Sequence, residues 1–176
     1  MEDFSLYEKV SPEVILKYQD KVPAELLEIW KDYGFGTFMN GYLKVINPDE
    51  YIELLQESYF RSDIAIPVMA TAFGDIITWE KQQFVAIVEY RYSRNDIMIK
   101  RFDLFLRLLK DNSFKNRFFS LAAYDEAVSQ YGHLGYNECF GYVPLLALGG
   151  AEKVENIKKV KLREHIAIIV DMAGGV

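Results

Sequence analysis

Two blocks that mix aromatic residues with glycine constrain this chain more than any other feature. The first is Ala70-Thr71-Ala72-Phe73-Gly74-Asp75-Ile76-Ile77-Thr78-Trp79. The second is Cys139-Phe140-Gly141-Tyr142-Val143-Pro144-Leu145-Leu146-Ala147-Leu148-Gly149-Gly150. Aromatic side chains carry the largest apolar area, and glycine opens backbone conformations closed to other residues, so both blocks read as corners that specify a fold. Neither supplies a nucleophile beside a base or a set of metal ligands. The expectation is a protein that acts through its surface rather than an enzyme.

The 176 residues fit one domain or two small ones packed together. A chain of this length buries about 70% of the surface of its unfolded form, enough for a core without staples. Cys139 is the single cysteine, so no disulfide can form within the chain, which suits a reducing compartment. The start, Met1-Glu2-Asp3-Phe4, is acidic and lacks the basic and apolar runs of a secretory signal. The apolar stretches 143–148 and 166–170 are too short for a bilayer, which needs about 20 residues. A cytoplasmic protein with no membrane partner is expected.

Charge is uneven. Residues 1–60 hold 12 acidic and 5 basic side chains, whereas 61–120 hold 7 acidic and 10 basic. An acidic first third disfavours nucleic acid, whose phosphates need basic surface, and would steer a basic partner. The same acids serve solubility.

Local signals give a sequence of elements. Ser11-Pro12-Glu13 opens a helix, with serine as cap and proline in the first turn. Pro23 opens a second, with Leu26, Leu27, Trp30 and Tyr33 on one face and Gly34 as its stop. Asn40-Gly41 predicts a hairpin between strands at 37–39 and 42–46. Asn47-Pro48-Asp49-Glu50 caps a third helix. Strands are expected at 68–72 and 76–79 around a Gly74-Asp75 turn, at 84–92, and at 97–101 after an Arg94-Asn95-Asp96 turn. Helices follow at 102–109 and 121–131, then a long aromatic loop and an extended stretch at 156–162. Residues 164–172 suit strand by β-branching or helix by length, and helix is preferred.

Candidates for chemistry are sparse. His133, His165 and Cys139 lack the close spacing that zinc requires. A Cys139–histidine nucleophile is conceivable, but an apolar block with no basic neighbour favours a buried thiol. Gly34-Phe35-Gly36 fails as a dinucleotide fingerprint, because Met39 stands where the next glycine belongs and a hairpin follows instead of a helix. Asp75, Glu80 and Glu89 show no convergence for acid–base work, and Asp75 reads as a turn residue bonding its own backbone. No cofactor is expected.

The segments Val22-Pro23-Ala24-Glu25-Leu26-Leu27-Glu28-Ile29-Trp30, Gly34-Phe35-Gly36, Gly41-Tyr42-Leu43 and Asn47-Pro48-Asp49-Glu50-Tyr51 resemble the opening of GAD-like (GAD-related) domains, and Thr71-Ala72-Phe73-Gly74-Asp75 continues the likeness. From about Phe105 to Met172 the chain resembles the C-terminal domain of type VI secretion DNase immunity proteins. The landmarks are the block 140–150 and the tail 154–169. The resemblance implies a bacterial immunity protein that binds and neutralises a cognate toxin, without fixing the toxin as a DNase.

The expected fold is α+β, an antiparallel β-sheet meander with helices packed against it in two contiguous halves. These are a GAD-like domain over 4–101 and an immunity-type C-terminal domain over 102–174. A secreted nuclease would present a basic surface, so the candidate toxin-binding residues are the acids Glu28, Asp32, Asp49, Glu50, Glu53 and Glu57. Asp49, Glu53 and Glu57 share a helical face. The alternative is a small-ligand-binding protein or an uncharacterised enzyme with a pocket near Cys139. An RNA-associated domain would need Arg91, Arg94, Lys100, Arg101 and Arg107 to form a basic stripe.

Overall fold

The computed structural model describes residues 3–176. Met1 and Glu2, part of the acidic start, lie outside the described residues. The elements run β1 (Ser5–Glu8), α1 (Pro12–Tyr18), α2 (Ala24–Asp32), β2 (Phe35–Phe38), β3 (Leu43–Val45), α3 (Pro48–Ser58), β4 (Ala65–Thr71), β5 (Ile76–Glu80), β6 (Phe84–Glu89), β7 (Arg94–Lys100), α4 (Phe102–Leu108), α5 (Asn112–Phe118), α6 (Leu121–Tyr131), β8 (Glu138–Tyr142), β9 (Ile157–Lys161) and α7 (Leu162–Ala173). Strands β1 to β7 form one antiparallel sheet in chain order, and β8 pairs with β9 in a second, small sheet. The fold is α+β, an antiparallel meander covered by helices.

The helix signals act as expected. The Ser11 hydroxyl accepts the Val14 N–H and the Asn47 side chain accepts the Asp49 N–H, so both caps satisfy otherwise orphaned donors. The stretch 164–172 is helical within α7, which buries Leu162, His165, Ile166 and Ile169, the spacing of one helix face.

The turns depart from expectation in three places. At Asn40-Gly41 the left-handed run begins earlier, at Met39, so the strands end at Phe38 and resume at Leu43 around a four-residue loop. In the first aromatic-glycine block the loop is 72–75. Thr71 Oγ1 accepts from the N–H groups of Phe73 and Asp75 and donates to Asp75 Oδ2. Asp75 is fully buried, and its carboxylate accepts from the Thr71 hydroxyl and Arg91 rather than bonding its own backbone. Arg94-Asn95-Asp96 is strand, not turn. The reversal lies one step earlier, in a 3-10 turn over Tyr90–Tyr92 and a left-handed Ser93. The physical reason is a cross-strand pair: Arg94 donates to both oxygens of Glu89, at 2.6 and 3.0 Å.

Apolar residues fill both faces of the sheet. One face packs Trp30, Val68, Phe73, Ile77, Phe105, Tyr124 and Phe140 under α2, α4, α5 and α6. The opposite face packs Ile46, Ile76 and Val88 under Tyr51 and Leu55 of α3 and Ile166 and Ile169 of α7. Strand alternation assigns the layers, as with the neighbours Ile76 and Ile77. The two parts of the chain share this interior. The Tyr42 ring lies 5.3 Å from both Phe119 and Tyr124, and the Phe140 N–H bonds the Ala72 carbonyl at 2.7 Å.

Candidate partner-binding surface

Most of the ionisable groups considered for chemistry lie in the interior: Asp75, Glu80, Glu89, Arg91 and His165 are buried, whereas His133 is exposed. Arg91 Nη2 donates to Asp75 Oδ2 at 3.2 Å and to Ser120 Oγ at 3.1 Å, and its guanidinium stacks 4.5 Å from the Phe73 ring. Burial pushes the Asp75 carboxyl up, while the Arg91 charge and the Thr71 hydrogen bond oppose this. Glu80 is also wholly buried; it accepts from Tyr59 and Thr78 and lies 2.6 Å from Arg61. These carboxylates tie turns and strands together, and no two of them converge on a common cleft.

Cys139 has no exposure and packs among Leu162, Ile166 and Ala70. Burial pushes its thiol up to about 12, so the nucleophilic thiolate is not formed at neutral pH. Lys44 is a basic neighbour that the sequence did not reveal, but its effect on the thiol is smaller than that of burial. The nearby cavity, lined by Phe73, Arg91, Gly141 and His165, has a volume of about 10 Å³, enough for one water and no substrate.

The basic residues do not form a free stripe. Arg91 is buried on Asp75 and Arg94 pairs with Glu89, while Arg101 and Arg107 both pair with Asp103.

The acidic candidates divide. Glu28 and Asp32 lie on α2, across the sheet from α3, so they do not join the α3 acids. Asp49 is held by Lys17 Nζ at 2.5 Å and the Tyr18 hydroxyl at 2.6 Å. Its partial burial would raise the carboxyl, and these two hydrogen bonds outweigh that, leaving it below the usual carboxylate range. Its charge is largely spent within the molecule. Glu50, Glu53 and Glu57 are exposed along α3, with Glu53 only 3.9 Å from Arg163.

Glu50 belongs to a group that the sequence scatters. The rings of Tyr7, on β1, and Tyr136, in the loop before β8, stack at 4.0 Å with an angle of 11°. Asn137 Nδ2 donates to the Tyr7 hydroxyl, and the Tyr136 hydroxyl donates to the Val45 carbonyl. Buried Lys44 anchors the same loop by donating to the Gly135 carbonyl at 3.1 Å, and burial lowers its pKa to about 8. Glu50 is raised above its ordinary value, first by partial burial and then by the charge of Glu8. Glu8 and Glu50 also raise Tyr136, beyond the larger effect of its burial. The result is an aromatic stack with Tyr7 half exposed, in whose neighbourhood Glu8 raises Glu50 and Arg163 opposes that effect. It is assembled from β1, α3 and the 132–137 loop, which are separated by up to 130 positions in sequence.

Comparison with known proteins fits this joint construction. Residues 1–90 match the family described as GAD-like domain. The chain belongs to the GAD-like domain family. Residues 100–173 of this GAD-like protein match the family described as T6SS immunity protein Tdi1, C-terminal. The recognition made from the sequence motifs is therefore upheld in both parts. The crystal structure of Atu4351 from Agrobacterium tumefaciens superposes with a TM-score of 0.77 at 19% identity, covering 94% of this chain and 84% of that one. That likeness establishes a shared fold. No curated protein matches the chain. Among the described residues, no helix is long and apolar enough to cross a membrane.

Proposed function

We propose that this protein is a non-enzymatic immunity protein that neutralises a cognate toxin by covering its active surface. The family match of its C-terminal part supports the class. The observation that carries the binding site is the Tyr7–Tyr136 stack with Glu8 and Glu50 in its neighbourhood and Glu53 beyond. Tyrosine presents an apolar body and a polar tip and is favoured at interfaces. Acids that repel one another gain when a cation approaches them, so the natural complement is a basic surface. A secreted nuclease, whose substrate is a polyanion, has such a surface. The protein would act in the cytoplasm, with no cofactor, no membrane contact and no nucleic acid of its own.

The test is co-expression with the product of the adjacent gene. Rescue from toxicity together with a stable complex supports immunity. Toxicity without complex formation overturns it.

A further inference from the structure

We propose that the outer edge of β1 receives an extended segment of the partner as an additional strand, and that this segment alternates apolar and basic side chains. The inference deepens the immunity reading and rests on it.

Strand β1 ends the sheet. Its inner edge pairs with β2, and among the described residues no backbone hydrogen bond reaches its outer edge. All four of its residues are exposed, including the large apolar side chains Leu6 and Tyr7. Open edges are normally blunted by charge, proline, cover, shortness or a bulge; Ser5-Leu6-Tyr7-Glu8 carries one charge and no proline, and its short run is interrupted by a single bulge at Tyr7, so a brief edge stays open. Added strands gain affinity from main-chain hydrogen bonds and specificity from the pockets that receive alternate side chains.

The two sides of β1 differ in chemistry. Leu6 lines a groove of about 620 Å³ with Val10, Ile15, Leu16 and Trp30, and the groove also holds Lys9, Lys31 and Asp32. The two lysines against one acid disfavour basic groups there, so this side takes apolar side chains. On the other side, the ladder shifts register between Leu6 and Glu8, leaving Tyr7 as the extra residue of a bulge. Tyr7 stacks on Tyr136, and Glu8 acts on Glu50 and Tyr136, so consecutive residues serve one face. A lysine or arginine of an added strand would meet the half-exposed Tyr7 ring beside Glu8, a favourable cation–π and ionic setting. The bulge turns Tyr7 and Glu8 to one face, so an added strand would offer its basic side chains to that face and its apolar ones to the Leu6 side.

The probe is a synthetic peptide of about eight residues alternating lysine and valine, a typical strand length. It is added to the full chain and followed by amide hydrogen exchange and NMR shifts. The expected result is binding with protection at Ser5–Glu8. Methylating alternate peptide nitrogens should weaken it by about tenfold or more, and so should replacing its lysines by glutamate, about 1.4 kcal/mol each. The Glu8→Lys and Glu50→Lys variants should lose affinity for the lysine peptide and gain it for the glutamate one. No binding, binding that survives backbone methylation, or protection elsewhere overturns the proposal. So does a free chain that is already dimeric with β1 protected, in which case a second copy is the occupant. Failure of the peptide leaves a co-purified toxin complex standing, whereas peptide binding without any toxin complex removes the immunity reading alone.

Discussion

Asp75 and Glu53 are both carboxylates in the first half of the chain, and the fold uses them in opposite ways. Asp75 is sealed in the core, where Arg91 and Thr71 fix it. Glu53 is 80% exposed and makes a single exposed ion pair, with Arg163 at 3.9 Å. A charge taken out of water must be matched on the spot, so its geometry belongs to folding. A charge left in water contributes little to stability and remains free to act on a partner. The acids of the chain are thus two populations: the buried ones, Asp75, Glu80 and Glu89, all lie beyond residue 60, whereas among the described residues the acids of the first third stay at the surface, where they are available for recognition.

The interior side of that contrast is most severely tested by cutting the chain. We propose that the 4–101 and 102–174 segments are units of sequence and do not fold alone, because Tyr42 and Phe73 face Phe119, Tyr124 and Phe140 across the division. A fragment of residues 4–101 should show collapsed amide dispersion and no cooperative melt. A sharp transition would show two separate cores.

Next in size is Asp75→Ala, which leaves Arg91 buried without its counter-charge and should cost about 3–5 kcal/mol. Denaturant unfolding measures it. The paired change Asp75→Leu with Arg91→Met should recover most of the loss, since apolar replacement of a buried pair is often neutral. If the single variant melts like the wild type, the distinction between inner and outer acids collapses.

Lys44 sharpens the contrast through pH. Burial lowers its pKa to about 8, below the value of about 10.4 in an unfolded chain. The folded state therefore releases its proton first, and the unfolded state holds more protons between those values. Stability should rise with pH across that window by about 1 kcal/mol per unit relative to Lys44→Met. The difference between the two unfolding curves from pH 7 to pH 10 is the readout, which cancels tyrosine ionisation common to both. A flat difference would mean that Lys44 is not held as a cation in a dry site.

The smallest stability effect belongs to the outer acids. Glu50→Lys and Glu53→Lys should change unfolding free energy by less than about 0.5 kcal/mol. Together they should slow association with the co-purified toxin and flatten its salt dependence. Loss of stability with unchanged association would reverse their assignment.

Much of the local structure was readable from residue type. Ser11, Asn47 and Gly34 mark helix ends because capping and left-handed backbone are properties of single residues. Helix α5 lies outside the helices expected from sequence although its signal is present: Asp111 caps it, accepting the Phe114 N–H, and Phe114 and Phe118 follow at helical spacing. Strand β1 had no such signal, since none of its four residues is buried and no apolar alternation marks it. Arg94-Asn95-Asp96 has turn composition, and only its partner Glu89 makes it a strand.

By itself the sequence determined the α+β class, most helix boundaries, the two families and the excess of acid in the first third. These follow from periodicity, capping chemistry and motif order, all of which act over a few residues or along the chain. The tertiary structure alone decided which acids are spent internally, that Glu28 and Asp32 stand across the sheet from Glu50, and that Tyr7 meets Tyr136. Those outcomes depend on which face of a strand or helix meets which neighbour, a property that arises only when distant segments exclude water from the same space.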